Sequence, residues 1–203
     1  MSGKPFRVIF GTLLIYALAS NALAQNNRDE KNPTPPCPDR QTYTGKYTNL
    51  RYGFSIVIPA GLKGYWNSAV CVPDDDGCIC MQDHGRTIRL ADNAYIEAYT
   101  GYEIPEWSPV DYEKSALKEL QRRAGVEKVE VLSSRSVRLD KLRARRFAFR
   151  FAEKRRSFVL EHVVAVHNGV EYQLILSTSA ERYTKDRRKF EEVRTSWRLI
   201  PRS

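Results

Sequence analysis

The sequence of 203 residues contains no long hydrophobic run and none of the common catalytic motifs. Its longest apolar stretch, residues 8–18, is about half the length that a helix needs to cross a bilayer. We find no Walker loop, no dinucleotide-binding glycine motif, no paired-histidine motif and no glycine pattern around a serine nucleophile. We therefore expect neither a membrane-spanning protein nor an enzyme, and we expect no cofactor. Hydrophobic residues nevertheless make up 42% of the chain, which predicts a folded domain rather than a disordered one.

The three histidines are scattered along the chain and suggest no catalytic base. They are His84, His162 and His167. His162 alternates with the apolar residues Leu160 and Val164, so we expect it to be a packed or edge residue of a strand.

The first 24 residues have the order of a secretory signal peptide. Lys4 and Arg7 precede the apolar stretch, and the small residues Ala22 and Ala24 offer a cleavage site to a signal peptidase. We expect residues 1–24 to be removed and the protein to be exported to the periplasm or outside the cell. Residues 25–45 then form a proline-rich arm, and residues 46–203 form a single domain.

Four cysteines in an oxidising compartment predict two disulfides. A bond between Cys78 and Cys80 would close a very tight ring, which leaves two of the three possible pairings. Either Cys37 bonds Cys78 while Cys71 bonds Cys80, or Cys37 bonds Cys80 while Cys71 bonds Cys78. Both pairings would tie the proline-rich arm to the domain, because Cys37 lies within that arm.

A metal-binding or redox site is the alternative interpretation of the same segment. Cys71, Cys78, Cys80 and His84 gather thiolate and imidazole ligands within a short stretch of sequence. Their spacing matches no common zinc pattern, since such patterns place two or more residues between paired cysteines. We therefore favour disulfides and keep a metal-binding or redox protein as the alternative function.

Two helices are predicted from capping residues and apolar periodicity. The first begins at Ser108-Pro109, where the serine caps the helix, and ends at Gly125. The second covers about residues 180–193 and turns Tyr183, Phe190 and Val193 inward. Oppositely charged residues at a spacing of four predict a solvated outer face for this helix. These pairs are Glu181–Lys185, Arg187–Glu191 and Arg188–Glu192.

The remaining pattern predicts strands, so the fold class is α+β with an antiparallel sheet packed against two helices. Phe147, Phe149 and Phe151 mark the inward face of one strand. Asn168-Gly169 is typical of a two-residue hairpin turn between two further strands. We expect a three-stranded meander over about residues 142–177.

Two stretches resemble the PsbP-like superfamily. Residues 52–61 read Tyr-Gly-Phe-Ser-Ile-Val-Ile-Pro-Ala-Gly, which is similar to the opening strand of that family. Residues 172–198 are similar to its closing strand, helix and final strand. Both stretches are packing motifs, so the resemblance implies an α/β/α sandwich and no active site. It also implies a non-catalytic accessory or binding domain, although the cysteine-rich segment at 71–86 departs from the family pattern.

The positive charge is concentrated in one segment. The chain has 33 basic and 24 acidic residues, and residues 135–156 hold ten of the basic residues but only two acids. Alternation places Arg146 and Arg150 opposite the phenylalanine face, so we expect both to face solvent. The candidate anion-binding residues are Arg143, Arg145, Arg146, Arg150, Arg155 and Arg156.

This basic hairpin predicts a binding role in which the partner is an anionic glycan, a lipid headgroup or an acidic envelope protein. Nucleic acid is not expected, because the signal peptide sends the protein out of the cell. The alternative is that the charges form only a solvated face, which also protects an edge strand from pairing.

Overall fold

The computed structural model describes residues 42–65, 79–83, 95–102 and 107–201. Strands and helices follow one another along these ranges, and we number each type in chain order. Their bounds are β1 Thr42–Tyr43, β2 Gly45–Asn49, β3 Phe54–Ile58, β4 Leu62–Tyr65, β5 Ile79–Asp83, β6 Tyr95–Tyr102, α1 Pro109–Arg122, β7 Val126–Leu139, β8 Leu142–Glu153, β9 Arg156–His167, β10 Val170–Ser179, α2 Tyr183–Ser196 and β11 Arg198–Leu199.

The strands form two antiparallel sheets. The large sheet has the order β1-β4-β5-β6-β10-β9-β8-β7, and the small sheet has the order β11-β3-β2. Strands β8, β9 and β10 are neighbours in space as well as in sequence, so the predicted meander is confirmed. Its second turn consists of Asn168 and Gly169 at φ +49 and +79, the left-handed conformation that asparagine and glycine adopt most readily.

Each face of the large sheet is covered by its own hydrophobic core. On the face that we call the α2 face, Phe54 of the small sheet and Phe190 of α2 belong to the same cluster as Tyr172 of β10. On the opposite face, the α1 face, Tyr112 and Leu120 of α1 belong to the cluster of the three phenylalanines. The central strands are therefore buried from both sides. This confirms the predicted α+β class, with an antiparallel sheet between helical layers.

The small sheet approaches the large sheet closely at Gly64 of β4. A Cβ atom at this position would lie 2.6 Å from Cδ1 of Ile79 and 2.8 Å from Cδ1 of Ile58. A side chain here would force the ends of both core isoleucines to shift, so the close packing of the two sheets favours glycine at this position.

Helix α1 begins where the sequence predicts. The backbone N–H of Ser108 donates to Oδ2 of Asp111 at 3.0 Å, and its hydroxyl donates to the same oxygen at 2.6 Å. These hydrogen bonds lower the pKa of Asp111. They satisfy one of the backbone donors that a helix start leaves exposed.

Helix α2 begins and ends about three residues later than predicted, at Tyr183 and Ser196. The predicted surface pair Arg187–Glu191 is wrong. Arg187 points to Glu161 of the sheet at 3.6 Å, and Glu191 pairs with Arg146 at 2.5 Å. The helix therefore directs part of its charge inward onto the α2 face.

Several predictions lie outside the described residues. They concern the signal peptide, the disulfides and the metal alternative, since Cys37, Cys71, Cys78 and His84 are all outside these ranges. Cys80 lies in β5. Neither helix in the described ranges is long and apolar enough to cross a membrane. Strand β1, which the sequence assigned to the arm, pairs with β4.

Candidate anion-binding surface

The six arginines predicted to bind an anion do not form one surface. They are distributed along β8, the β8–β9 turn and the first residue of β9, and a strand of twelve residues extends over about 36 Å. Arg143 lies near the β7–β8 turn, whereas Arg155 lies in the β8–β9 turn at the opposite end. A small ligand therefore reaches only one end of this set.

Arg146 is buried and carries an internal ion pair, so the prediction that it faces solvent is wrong. Its side chain keeps 4% of its exposure, and Nε donates to Oε1 of Glu161 at 2.6 Å. Nη2 lies 2.5 Å from Oε1 of Glu161 and 2.5 Å from Oε1 of Glu191. Burial by itself lowers the pKa of Arg146, but the charges and hydrogen bonds of Glu161 and Glu191 outweigh it and raise that pKa. Its guanidinium is therefore committed to the protein interior.

The same ionic cluster extends along α2. The hydroxyl of Tyr183 donates to Oε2 of Glu161 at 2.9 Å, and burial together with the charge of Glu161 raises the pKa of Tyr183 to about 12. Burial opposes the charge on Glu191, yet hydrogen bonds and charges from Arg194 and Arg146 lower the pKa of Glu191. The cluster is thus a set of mutually compensated charges between α2 and the sheet.

Two more of the predicted arginines have carboxylate partners on neighbouring elements. Nε of Arg145 donates to Oε2 of Glu113 in α1 at 2.6 Å, and Nη2 donates to the hydroxyl of Ser134. Arg150 pairs with Glu130 of β7 at 3.5 Å. These contacts fasten β8 to α1 and to β7.

Three segments that are distant in sequence meet at the β7–β8 turn. Oδ2 of Asp140 in this turn accepts the N–H of Leu199 at 3.2 Å. The next N–H, that of Ile200, donates to the carbonyl of Gly53 at 2.9 Å. The β7–β8 turn, β11 and the β2–β3 turn therefore lie side by side at one end of the molecule.

We call this end the turn-end surface. Arg194 at the end of α2 belongs to it, because its Nη1 donates to the carbonyl of Arg138 at 3.3 Å. The basic residues of the turn-end surface are Arg51, Arg138, Lys141, Arg143, Arg194 and Arg198.

Arg138 and Arg143 are directly opposite each other in the register of β7 and β8. Both are exposed, and among the described residues neither has a carboxylate partner. The carboxylate of Asp140 in the same turn is engaged with the backbone of β11. Like charges directly opposite each other in a sheet repel, and Lys141 adds a third positive charge in the turn between them.

The sequence identified Arg143 but missed most of the turn-end surface. Arg138 and Lys141 belong to the basic segment, yet they were not singled out among its ten cations. Arg51, Arg194 and Arg198 lie far from that segment in sequence, and β11 and α2 bring them to it. In the sequence, only the resemblance of the closing strand and helix to a known fold indicated that these residues lie near the basic segment.

Comparison with known proteins identifies the fold. No protein-family model matches the chain, and no curated protein sequence matches it. The solution structure of cyanobacterial PsbP (CyanoP) from Synechocystis sp. PCC 6803 is similar over 83% of this chain and 100% of that one, with a TM-score of 0.54 and 14% identity. LpqN of Mycobacterium tuberculosis, described as involved in cell envelope biogenesis, is similar over 80% of this chain and 92% of its own, with a TM-score of 0.55 and 11% identity.

The Ran-binding protein Mog1p of Saccharomyces cerevisiae is also similar, over 80% of this chain and 96% of its own, with a TM-score of 0.50 and 10% identity. The protein therefore has a PsbP-like fold, as its two packing motifs predicted. Identities this low carry the fold alone, because one fold hosts many unrelated functions.

Proposed function

We propose that the protein is a non-catalytic, exported binding domain that contacts an anionic envelope component through the turn-end surface. The observation that carries this proposal is the cross-strand pair Arg138 and Arg143, which lacks a carboxylate partner among the described residues. An anion placed between the two guanidinium groups relieves their repulsion and accepts hydrogen bonds from both.

The distribution of internal partners supports this choice of surface. Arg145, Arg146 and Arg150 are occupied by Glu113, Glu161 and Glu130 respectively. At the opposite end of β8, Arg123 already pairs with Glu153 at 3.2 Å next to the β8–β9 turn. The feature that distinguishes the turn-end surface is therefore the facing pair Arg138 and Arg143, since Arg194 on the same surface already pairs with Glu191 at 2.7 Å.

Two further observations favour a binding role in the envelope. Residues 1–24 have the pattern of an export signal. The similar structures include one protein described as involved in cell envelope biogenesis and one described as Ran-binding. In the described residues no group of three or more metal-ligating side chains comes together, and Cys71, Cys78 and His84 lie outside those residues.

The test is a pair of charge reversals at the two ends of β8. The variant Arg138→Glu/Arg143→Glu changes the turn-end surface, and Lys154→Glu/Arg155→Glu makes the same change in net charge at the far turn. All four side chains are exposed, so both variants should fold, which circular dichroism checks. Binding is measured against immobilised heparin and against poly-glutamate at several salt concentrations.

We expect the turn-end variant to lose at least ten-fold in affinity for one of the two polyanions, with a reduced salt dependence. The far-turn variant should lose less than three-fold. Equal losses in both variants would mean that net charge alone drives binding, and no loss in either would remove the proposal.

A further inference from the structure

Strand β7 forms one edge of the large sheet. It is the last strand in the sheet order, and within the described part of the chain only β8 pairs with it. It spans fourteen residues, so it presents a long row of backbone N–H and C=O groups on its outer side. Such an edge can accept an additional strand unless the protein protects it.

The first half of β7 is protected by irregular backbone. The register with β8 shifts between Glu127 and Glu130 and again between Val131 and Ser133. Lys128 lies at φ +48, in the left-handed region. Bulges of this kind twist an edge away from an incoming strand.

The second half, residues 133–139, is regular and open. It pairs with β8 without interruption from Ser133 to Leu139. We call these seven residues the open edge.

The direction of each backbone group on the open edge follows from the turn. Asp140 and Lys141 form a two-residue turn that is closed by the pair Leu139 and Leu142. In an antiparallel hairpin this closing pair is hydrogen-bonded, and the pairs then alternate along the ladder. Odd-numbered residues from 133 to 139 therefore bond β8, whereas Ser134, Ser136 and Arg138 direct their N–H and C=O groups outward. The carbonyl of Arg138 already accepts from Nη1 of Arg194 at 3.3 Å, so the groups offered to a new strand are those of Ser134 and Ser136 and the N–H of Arg138.

The side chains of the open edge select the charge of its partner. Residues 133–139 contain Arg135 and Arg138 and no acid, and both arginines are exposed. Because side chains alternate, Arg138 lies on the α1 face beside Arg143, while Arg135 lies on the α2 face. A second copy of β7 would bring like charges together across the new pairing, which is unfavourable. An acidic strand places carboxylates next to cations on both faces.

We infer that the open edge of β7 binds an extended acidic segment of a partner protein as an additional strand of the large sheet. Backbone hydrogen bonds to Ser134, Ser136 and the N–H of Arg138 hold the segment, and Arg135, Arg138 and Arg143 select its Asp and Glu side chains. This inference rests on the proposed function, and it narrows the anionic component to an acidic polypeptide.

The probes are two eight-residue peptides of equal charge, a Glu-Thr peptide that repeats Glu-Glu-Thr-Thr and a Glu-Pro peptide that repeats Glu-Glu-Pro-Pro. Both place carboxylates on the two faces of an extended chain. In the Glu-Pro peptide, prolines remove N–H donors from whichever alternate set of residues faces β7, so only the Glu-Thr peptide can form the full ladder. Fluorescence anisotropy with labelled peptides should show that the Glu-Thr peptide binds at least ten-fold more tightly. Equal affinity for the two peptides would overturn the inference.

The matched variants are Ser136→Pro and Ser136→Thr. Proline removes an N–H that points away from β8, so the β7–β8 ladder keeps its bonds, whereas threonine keeps the donor and suits a strand. We expect Ser136→Pro to lose at least ten-fold in affinity for the Glu-Thr peptide and Ser136→Thr to stay within two-fold. Heparin binding should be the same in both variants.

Amide hydrogen exchange on the unmodified protein tests the same inference without a substitution. The Glu-Thr peptide should slow exchange at residues 134, 136 and 138, whereas 133, 135 and 137 are already bonded to β8. If the peptide protects none of the three, the inference is wrong.

The two proposals can fail separately. If Ser136→Pro has no effect on peptide binding but Arg138→Glu/Arg143→Glu abolishes polyanion binding, the surface binds anions without strand addition. A glycan or lipid headgroup is then the partner class. If the charge reversal changes no binding at all, the proposed function fails as well.

Discussion

Two neighbouring residue pairs on β8 and β9 show that titratable groups have different partners on the two faces of the large sheet. On the α2 face, Arg146 and Glu161 are both buried, both charged and directly paired. On the α1 face, Phe147 lies opposite His162, and their rings stack with centroids 4.9 Å apart and an angle of 14°. Neither ring nitrogen of His162 has a hydrogen-bond partner.

Arg146 and His162 are both buried, and they differ in whether the protein supplies them with charged or hydrogen-bonding partners. Burial of His162 lowers its pKa to about 4, and this effect outweighs an interaction with Gln173 that acts in the opposite direction. Glu171 lies on the same face of β10, where it accepts a hydrogen bond from Gln173. The imidazole is therefore neutral at physiological pH. A buried group keeps its charge only where the fold supplies an opposite charge and hydrogen bonds.

Removing one member of the buried pair should have the largest effect on stability. Glu161→Ala leaves the guanidinium of Arg146 buried with Glu191, which is 32% exposed, as its only carboxylate, and it removes the acceptor of the Tyr183 hydroxyl. We expect a loss of about 3–5 kcal/mol in the free energy of unfolding. Urea denaturation at pH 7 measures this value.

The control replaces both members of the pair. In Arg146→Met/Glu161→Leu no buried guanidinium is left without its carboxylate. Arg187 also loses Glu161, but it is partly exposed, and Glu191 keeps Arg194. The loss should therefore be smaller than in Glu161→Ala by about 2 kcal/mol or more. A double variant that is less stable than the single variant would mean that the pair contributes through packing rather than through charge.

The unpaired imidazole should make stability depend on pH. The pKa of His162 is about 4 in the folded protein and about 6.5 in an unfolded chain, so the unfolded state takes up the proton first. Its contribution is present above pH 6.5 and is lost as the pH falls toward 4. Linkage gives a loss of about 2 kcal/mol between pH 7 and pH 5.

Unfolding curves at several pH values, compared between the protein and His162→Phe, measure this slope. The phenylalanine variant keeps an aromatic ring beside Phe147 and cannot titrate, so its stability should change less over this interval. His167→Gln serves as the matched control, because it removes a histidine at the partly exposed end of β9 and should leave the slope in place. An unchanged slope in His162→Phe would rule out His162 as its source.

Local patterns in the sequence were enough to predict the main elements. The hairpin at Asn168-Gly169 and the cap at Ser108 depend on neighbours within a few residues, and both are in place. The alternation of His162 with apolar residues correctly predicted a packed histidine. The two helices were also found, with α2 displaced by about three residues.

The charged residues were harder to predict, because alternation separates two faces of a strand without saying what covers them. Arg146 lies opposite the phenylalanines, as expected, but α2 covers that face and makes it a second interior. The turn-end surface depends on β11 pairing with β3, a contact between residues more than one hundred positions apart. Neither fact is present in the local sequence.

The buried carboxylate of Asp186 on α2 tests how much one hydrogen-bond partner stabilises a buried polar group. The expected effect on stability lies between those of the Glu161 and Arg150 variants. Oδ2 of Asp186 accepts a hydrogen bond from Oγ1 of Thr178 at 2.6 Å, and Arg182 pairs with it at 3.3 Å. Thr178→Val keeps the shape of the side chain and removes the donor, so we expect a loss of about 1–2 kcal/mol. Thr178→Ser, which keeps the hydroxyl, should recover part of this loss in thermal unfolding. Equal losses in the two variants would attribute the effect to packing.

The smallest effect is expected for Arg150, which has the same residue type, strand and face as Arg146 but lies four residues further along. Its side chain is 47% exposed and its partner Glu130 is 60% exposed, with 3.5 Å between the charged atoms. Water screens such a pair and both side chains lose entropy in forming it, so Arg150→Ala should cost no more than about 0.5 kcal/mol. Urea denaturation under the conditions used for Glu161→Ala gives the comparison. A cost above about 1.5 kcal/mol would mean that solvent exposure does not determine how much an ion pair contributes to stability. A small cost would indicate that the Arg146 pair contributes more because α2 buries it.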